Sequence, residues 1–291
     1  MDYSDTLHLD HAGNYPIDQA GQNHINQAGS RPLVVRDLLQ YLDGLAGGLG
    51  EEEGIRFGTA TQPVKKILLC WMANLAAIRQ AAEIGADLII AHESVLFPYT
   101  ILERSGPPDF LSWQVNRNRI DLLTRHQISL VRAHITLDSF CIFDDFAAKL
   151  ELGDPVVSKP GFVKIYHIEP TPYGGLIEHV KDKLHLACLR ATPGDKARLI
   201  RRIGLPWGGL GLIVNTSYMQ SLLHEGCDCL IAGETDNYGF HFATDSGVDL
   251  IETSHEVSEN PGLEHFGQVL AAAFPQLHVS FYENKPPFTY E

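Results

Sequence analysis

The fold is decided by a stretch that occurs twice in the chain, as GADLIIAHE over residues 85–93 and as GCDCLIAGE over residues 226–234. Glycine, aspartate, isoleucine, alanine and glutamate stand at the same places in both copies. Each copy follows a segment with helical spacing, and its short apolar run favours a buried strand that ends in polar residues. The repeat therefore predicts two related α/β units, each with a polar loop after this strand.

A second pair of segments follows in the same order. HITLD (134–138) comes after the apolar run ISLVRA (128–133), and HEVSE (255–259) comes after VDLIETS (248–254). Both copies contain a histidine, three further residues and a carboxylate. Because parallel strands carry ligand-binding loops at their carboxyl ends, we expect four loops to converge in a cleft between two halves related by a pseudo-two-fold axis.

The remaining patterns fit an α/β fold with mixed sheets flanked by helices. Apolar spacing predicts helices over residues 33–45, 74–84 and 115–126, and a buried strand over residues 64–71. Turn residues crowd the stretch GDPVVSKPG (153–161), which makes it the predicted boundary. The predicted organisation is a polar N-terminal arm (1–31), a first α/β lobe (32–155) and a second α/β lobe (156–291).

Composition limits the possible partners and the cellular location. The 36 acidic residues outnumber the 22 basic ones, and the formal charge of −14 argues against nucleic acid as a partner. The five scattered cysteines fit no disulfide framework. With no predicted secretory signal and no apolar run long enough to span a membrane, we expect a cytoplasmic protein without a membrane partner.

Seven histidine and carboxylate side chains stand in the four predicted loops. They are His92, Glu93, His134, Asp138, Glu234, His255 and Glu259. Histidine and carboxylate are the usual ligands of first-row metals, and a set rich in oxygen shifts the preference toward manganese or magnesium. The loops therefore predict a metal site in the cleft.

The same residues allow two metal ions. Ions roughly 3.5–4 Å apart need a bridging carboxylate, for which Asp138 and Glu259 are the candidates. A water that the ions share would become acidic and act as the nucleophile. His134 either binds metal or orients Asp138, and Glu234 either binds metal or has a surface role near the cleft. These two are also the candidates for assisting the metal-bound water.

Three of these segments resemble the Nif-three-like family, also labelled GTP cyclohydrolase I type 2 homologues. ADLIIAHESVLF (86–97) resembles the family's strand followed by His-His-Pro-Leu, RAHITLD (132–138) its Ala-His-Thr-Asn-Leu-Asp, and IETSHEVSE (251–259) its Gly-His-x-x-Ser/Thr-Glu. The resemblance runs from about Val34 to the C-terminus. It implies a dinuclear metal centre and a homo-oligomer, a toroidal hexamer with its sites facing an internal cavity.

The resemblance also implies a set of metal ligands. These are His92, Glu93, Asp138, His255 and Glu259. Where the family has a second histidine this chain has Glu93, whose added charge makes zinc less favoured there. The implied cofactor is a pair of divalent ions, with zinc, iron, manganese and magnesium as the candidates. Asn260 and Pro261 predict a tight turn into a helix that starts near Gly262.

The sequence is compatible with two functions. The first is a metal-dependent hydrolase that acts on a phosphoester or nucleotide-like small molecule. The second is a metal-stabilised oligomeric scaffold or regulatory protein-binding partner. The chain has no phosphate-binding loop of the Walker type, and we interpret GGLGL (208–212) as a turn that enters a strand.

Overall fold

The computed structural model of the chain describes residues 31–98, 109–289 and 291. These residues form two compact units. The first unit contains the described residues up to 141 together with residues 263–284, and the second contains residues 142–262 with the described residues from 285 onward. The predicted polar arm lies outside the described residues apart from Arg31.

Both units combine α-helices and β-strands. The α-helices of the described residues are α1 (Val35–Leu45), α2 (Leu75–Ile84), α3 (Gln114–His126), α4 (Ile135–Leu137), α5 (Phe143–Lys149), α6 (Tyr173–Lys183), α7 (Thr216–His224), α8 (Asn237–Asp245) and α9 (His255–Ala273). The strands are β1 (Gly54–Phe57), β2 (Lys66–Cys70), β3 (Leu88–Ala91), β4 (Ser129–Arg132), β5 (Pro155–Lys159), β6 (Val163–Pro172), β7 (Arg190–Ala191), β8 (Leu199–Gly204), β9 (Cys229–Ala232), β10 (Asp249–Glu252) and β11 (His278–Tyr282). The helices and strands predicted in the first half are thus confirmed, with shifts of one or two residues at their ends.

Each unit is built on one mixed sheet, and the two sheets share a strand order. The first unit has the order β1-β4-β3-β2-β11, and the second has β7-β10-β9-β8-β6-β5. Three neighbouring strands are parallel in each sheet, β4-β3-β2 in the first and β10-β9-β8 in the second. An antiparallel strand pairs with the first of these three, β1 with β4 and β7 with β10. The predicted α/β duplication is therefore confirmed.

One repeated aspartate shows why the two copies of the sequence look alike. The carboxylate of Asp87 accepts hydrogen bonds from the backbone N–H groups of Lys65 and Lys66, at 2.7 and 3.0 Å. The carboxylate of Asp228 accepts from those of Arg201 and Arg202, at 3.2 and 2.7 Å. In both units the aspartate before one strand fixes the neighbouring parallel strand.

The central strands are buried on both faces. All residues of β3 and of β9 are buried, as expected for parallel strands with helices against the sheet. The helix before β3 has a clear start and stop, because the Asn74 side chain accepts from the backbone N–H of Ala77 and Gly85 adopts a left-handed conformation with φ of 66°. These signals set where β3 begins and therefore where its carboxyl end lies.

The two units divide the chain differently from the predicted lobes. Strand β11 pairs in parallel with β2, so the segment 263–284 belongs to the first unit. At the other division the second unit begins at residue 142, and the predicted boundary near residue 155 falls in strand β5. Pairing between strands so distant in sequence leaves no local signal that segment 263–284 belongs to the first unit.

The predicted turn at Asn260 and Pro261 is wrong, since α9 runs through both residues. Proline within a helix removes one backbone hydrogen bond and is costly there. The residues that follow it outweigh this cost, because Leu263 and Phe266 are almost completely buried. No helix of the described residues is long and apolar enough to cross a membrane.

We predict that Asp87→Ala and Asp228→Ala each lower the free energy of unfolding by about 1–3 kcal/mol, because each removes charge-assisted hydrogen bonds to a strand. Urea denaturation measures the change. Asp121→Ala, which removes an exposed carboxylate from α3, is the matched control. Losses no larger than that of the control would contradict the role assigned to these aspartates.

Candidate metal centre

His92 follows β3 directly, and its side chain is fully buried. Its Nδ1 lies 3.1 Å from the carbonyl oxygen of Ala133. Because a carbonyl can only accept a hydrogen bond, Nδ1 carries a proton, and in the neutral imidazole Nε2 therefore has the lone pair. That Nε2 lies 3.7 Å from Oδ1 of Asp138. A backbone partner on one ring nitrogen is the usual arrangement of a metal-binding histidine.

His134 and Asp138 stand at the two ends of α4, four residues apart and so on one side of a helical turn. The ring centroids of His92 and His134 are 4.6 Å apart. One ligand atom from each of His92, His134 and Asp138 lies within 4.8 Å of the others. Two imidazoles and a carboxylate fit a first-row divalent cation, and His134, whose role the sequence left open, lies among the donors.

Glu93 lies beside this group and is buried, with 7% of its surface exposed. Its Oε1 is 3.6 Å from Nε2 of His134, and its Oε2 is 3.6 Å from the guanidinium of Arg132. The carboxylate of Glu93 therefore has a positive partner as well as a place near the donors.

Two glutamates that sequence analysis missed hold the turn that carries His134. Glu53 is buried, and its carboxylate accepts from the backbone N–H groups of His134 and Thr136 at 2.5 and 3.1 Å and from the Thr136 hydroxyl at 2.9 Å. Glu52 contacts Nδ1 of His134 at 2.7 Å and accepts from Arg132 at 3.0 Å. The only available signal was three consecutive glutamates before β1.

The charges around His134 favour its protonated form in the absence of a cation. Burial opposes protonation most strongly, but Glu52, Glu93 and Asp138 outweigh it and raise the pKa of His134 well above its usual range. Burial likewise tends to raise the pKa of Glu52, and contacts with His134 and Arg132 bring it below its usual range. A cluster with this many carboxylates is suited to a bound cation.

In the second unit His255 begins α9 and lies between two carboxylates. Its Nδ1 is 3.0 Å from Oε2 of Glu234, and its Nε2 is 3.3 Å from Oε1 of Glu259. Glu259 is buried, whereas the Glu234 side chain is 46% exposed. Glu234 therefore orients the imidazole, and Nε2 faces the buried carboxylate. His255 and Glu259 thus resemble a pair of metal ligands, and Glu234 resembles the outer carboxylate that orients the ligand histidine.

The glycine-rich stretch 208–212 packs against these two side chains. Gly208 has φ of +52°, and a Cβ there would lie 2.1 Å from Oε1 of Glu259 and 3.2 Å from Nε2 of His255. Only glycine permits this approach. Gly211 forms an isolated bridge with Thr235, after which a 3₁₀ turn follows, so the segment forms a turn without the predicted strand.

The structure thus groups the predicted residues into two sets. His92, Glu93, His134 and Asp138 lie together in the first unit, and Glu234, His255 and Glu259 in the second. That both sets contribute to one dinuclear centre in a cleft remains a prediction.

Comparison with known proteins identifies relatives over most of the chain. Residues 49–287 match the model of the family described as Duf34/NIF3 (NGG1p interacting factor 3). A protein of Neisseria meningitidis serogroup B named GTP cyclohydrolase 1 type 2 homolog is 25% identical over 232 residues, which cover 77% of this chain and 86% of the relative. A Chlamydia pneumoniae protein of the same name is 23% identical over 266 residues, which cover 87% of this chain and 99% of the relative.

Solved structures share the fold. The Staphylococcus aureus protein SA1388 matches with a TM-score of 0.73 and 18% identity, over 90% of this chain and 100% of that protein. A Bacillus cereus protein related to NIF3 matches with a TM-score of 0.72 and 15% identity, over the same shares of the two chains.

We predict that Glu53→Gln lowers the free energy of unfolding by about 1–3 kcal/mol, because the amide loses charge-assisted bonds and turns a donor toward backbone N–H groups. It should also weaken Zn²⁺ binding, since His134 and Asp138 share the turn that Glu53 holds. Urea denaturation and calorimetric titration measure the two effects. Glu51→Gln, an exposed neighbour, is the control; equal effects of both variants would contradict the role of Glu53.

Proposed function

Because the chain belongs to the Duf34/NIF3 family, we propose that it is a metal-dependent hydrolase that acts on a phosphoester or nucleotide-like small molecule with the help of two divalent ions. The observation that supports this most directly is the approach of donor atoms of His92, His134 and Asp138 to within 4.8 Å of one another. The names of its relatives, GTP cyclohydrolase 1 type 2 homologues, are consistent with a nucleotide-like substrate.

Each unit contains proposed ligands. In the first unit they are His92 and Asp138, with His134 and Glu93 beside them, and in the second they are His255 and Glu259. The donor chemistry fits the group, because the Ala133 carbonyl fixes the proton of His92 on Nδ1 and leaves Nε2 to bind a cation. Imidazoles together with carboxylates suit zinc, iron and manganese, and the oxygen donors suit magnesium.

The protein's own groups position the chemistry. When bound, divalent ions of this kind act as Lewis acids and lower the pKa of a coordinated water toward neutrality. Glu52 fixes His134 through Nδ1, and Glu234 fixes His255 in the same way. The burial of Glu93, Asp138 and Glu259 keeps their carboxylates dehydrated, which strengthens their attraction for a cation.

A second function, a metal-stabilised scaffold or regulatory protein-binding oligomer, is favoured by one observation. The backbone of Gly208 packs on Glu259, so the glycine-rich turn covers a carboxylate and does not offer a cradle for phosphate. In that role the same ligands would stabilise the protein without turnover. The hexamer that the family resemblance implies and the cytoplasmic location belong to both proposals as predictions.

We expect the protein, purified without a histidine tag and reconstituted with excess metal, to contain about two ions per chain by elemental mass spectrometry. Asp138→Asn should lower this content, because it removes a charged donor, and should reduce hydrolysis in a phosphoester and nucleotide screen by about a hundredfold or more. His126→Ala, which changes an exposed histidine at the end of α3, is the control.

The outcomes separate the two proposals. Bound metal with turnover that depends on Asp138 supports the hydrolase. Bound metal that raises the melting temperature, with no turnover in the screen, contradicts the hydrolase and supports the scaffold. Absence of metal after reconstitution contradicts both.

A further inference from the structure

Arg132, the last residue of β4, is a buried cation beside the candidate metal centre. Its side chain is 5% exposed. Its Nε donates to the carbonyl oxygen of His92 at 3.1 Å, its Nη1 donates to Glu52 at 3.0 Å, and its Nη2 lies 3.6 Å from Oε2 of Glu93. The guanidinium is therefore held in place by a loop that carries two of the proposed ligands.

This positive charge is permanent and poorly screened. A guanidinium does not lose its proton under physiological conditions, and buried charges are shielded by salt much less than exposed ones. The same carboxylate of Glu52 contacts both Arg132 and Nδ1 of His134. Arg132 is thus tied to the donor cluster on two sides, through Glu52 and through Glu93.

We infer that Arg132 is a built-in cation that competes with a divalent ion for Glu93, so that the two metal positions of this chain differ in affinity. The inference rests on the proposed metal centre and deepens it. His92, His134 and Asp138 form the tighter position, and the ion that would use Glu93 occupies the weaker one.

The competition between the two cations follows from charge and distance. An ion bound to Glu93 would lie within a few ångströms of the guanidinium, and two cations this close in a buried site repel each other strongly. A buried carboxylate needs a counter-cation, and Arg132 supplies one for Glu93. The carboxylate that would bind the ion is therefore already paired with Arg132.

The test is equilibrium dialysis of the full chain against Mn²⁺ and, separately, Zn²⁺, with bound metal counted by elemental mass spectrometry. Arg132→Met keeps the length of the side chain and removes its charge. We expect it to tighten the weaker position by about tenfold or more, as removal of a like charge a few ångströms away does in a poorly solvated site. The tighter position should change little.

Glu93→Gln supplies an independent arm. It should abolish the weaker position and leave the tighter one, and the added Arg132→Met substitution should then have no further effect, since the carboxylate for which the two cations compete is absent. Arg56→Met removes a neighbouring arginine that contacts the backbone of Glu53 and serves as the control. Thermal melting shows whether each variant is folded.

Metal binding that Arg132→Met leaves unchanged or weakens, in a folded variant of a protein that binds metal, would overturn this inference alone. If Arg132→Met does not fold, the Glu93→Gln arm decides, and loss of the tighter ion or retention of both ions would overturn the inference. If neither the wild-type protein nor Arg132→Met binds metal, the proposed function is overturned together with the inference.

Discussion

The first unit's site depends on the hydrogen bonds that the buried carboxylate of Glu53 accepts. The carboxylate accepts hydrogen bonds from the backbone N–H groups of His134 and Thr136, at the start of the turn after β4. It also accepts one from the hydroxyl of Thr136 within that turn. His134 and Asp138 stand at either end of the same turn. A single carboxylate therefore sets the position of an imidazole and of a carboxylate, while the strand β3 sets that of His92.

The two units share the arrangement of their central strands but differ in the side chains that follow these strands. Asp87 and Asp228 fix equivalent strands in the two units with the same hydrogen bonds. The position of His92 in the first copy is held in the second by Gly233, where a Cβ would lie 2.4 Å from the backbone nitrogen of Gly208. The two histidines after β10 and β4 are oriented by carboxylates from different segments. Glu234 in the loop after β9 contacts His255, whereas Glu52 in a segment before β1 contacts His134.

Local signals explain what the sequence could predict. The strands β2, β3 and β4 appear as apolar runs, Asn74 and Gly85 mark the ends of α2, and the repeat points to the loops that carry His92 and His255. Glu52 and Glu53 could not be found this way, because they act on residues some eighty positions away. For the same reason the sequence did not predict the pairing of β11 with β2. The burial of Leu263 and Phe266 after Pro261 outweighs its helix-breaking signal.

The most direct measurement of the central claim is anomalous diffraction from crystals grown with Mn²⁺ or Zn²⁺, recorded on both sides of the metal's absorption edge. We predict an anomalous peak within coordination distance of Nε2 of His92, with Asp138 and His134 as its neighbours. Metal peaks confined to other residues, with His92 and Asp138 unoccupied at saturating metal, would contradict it.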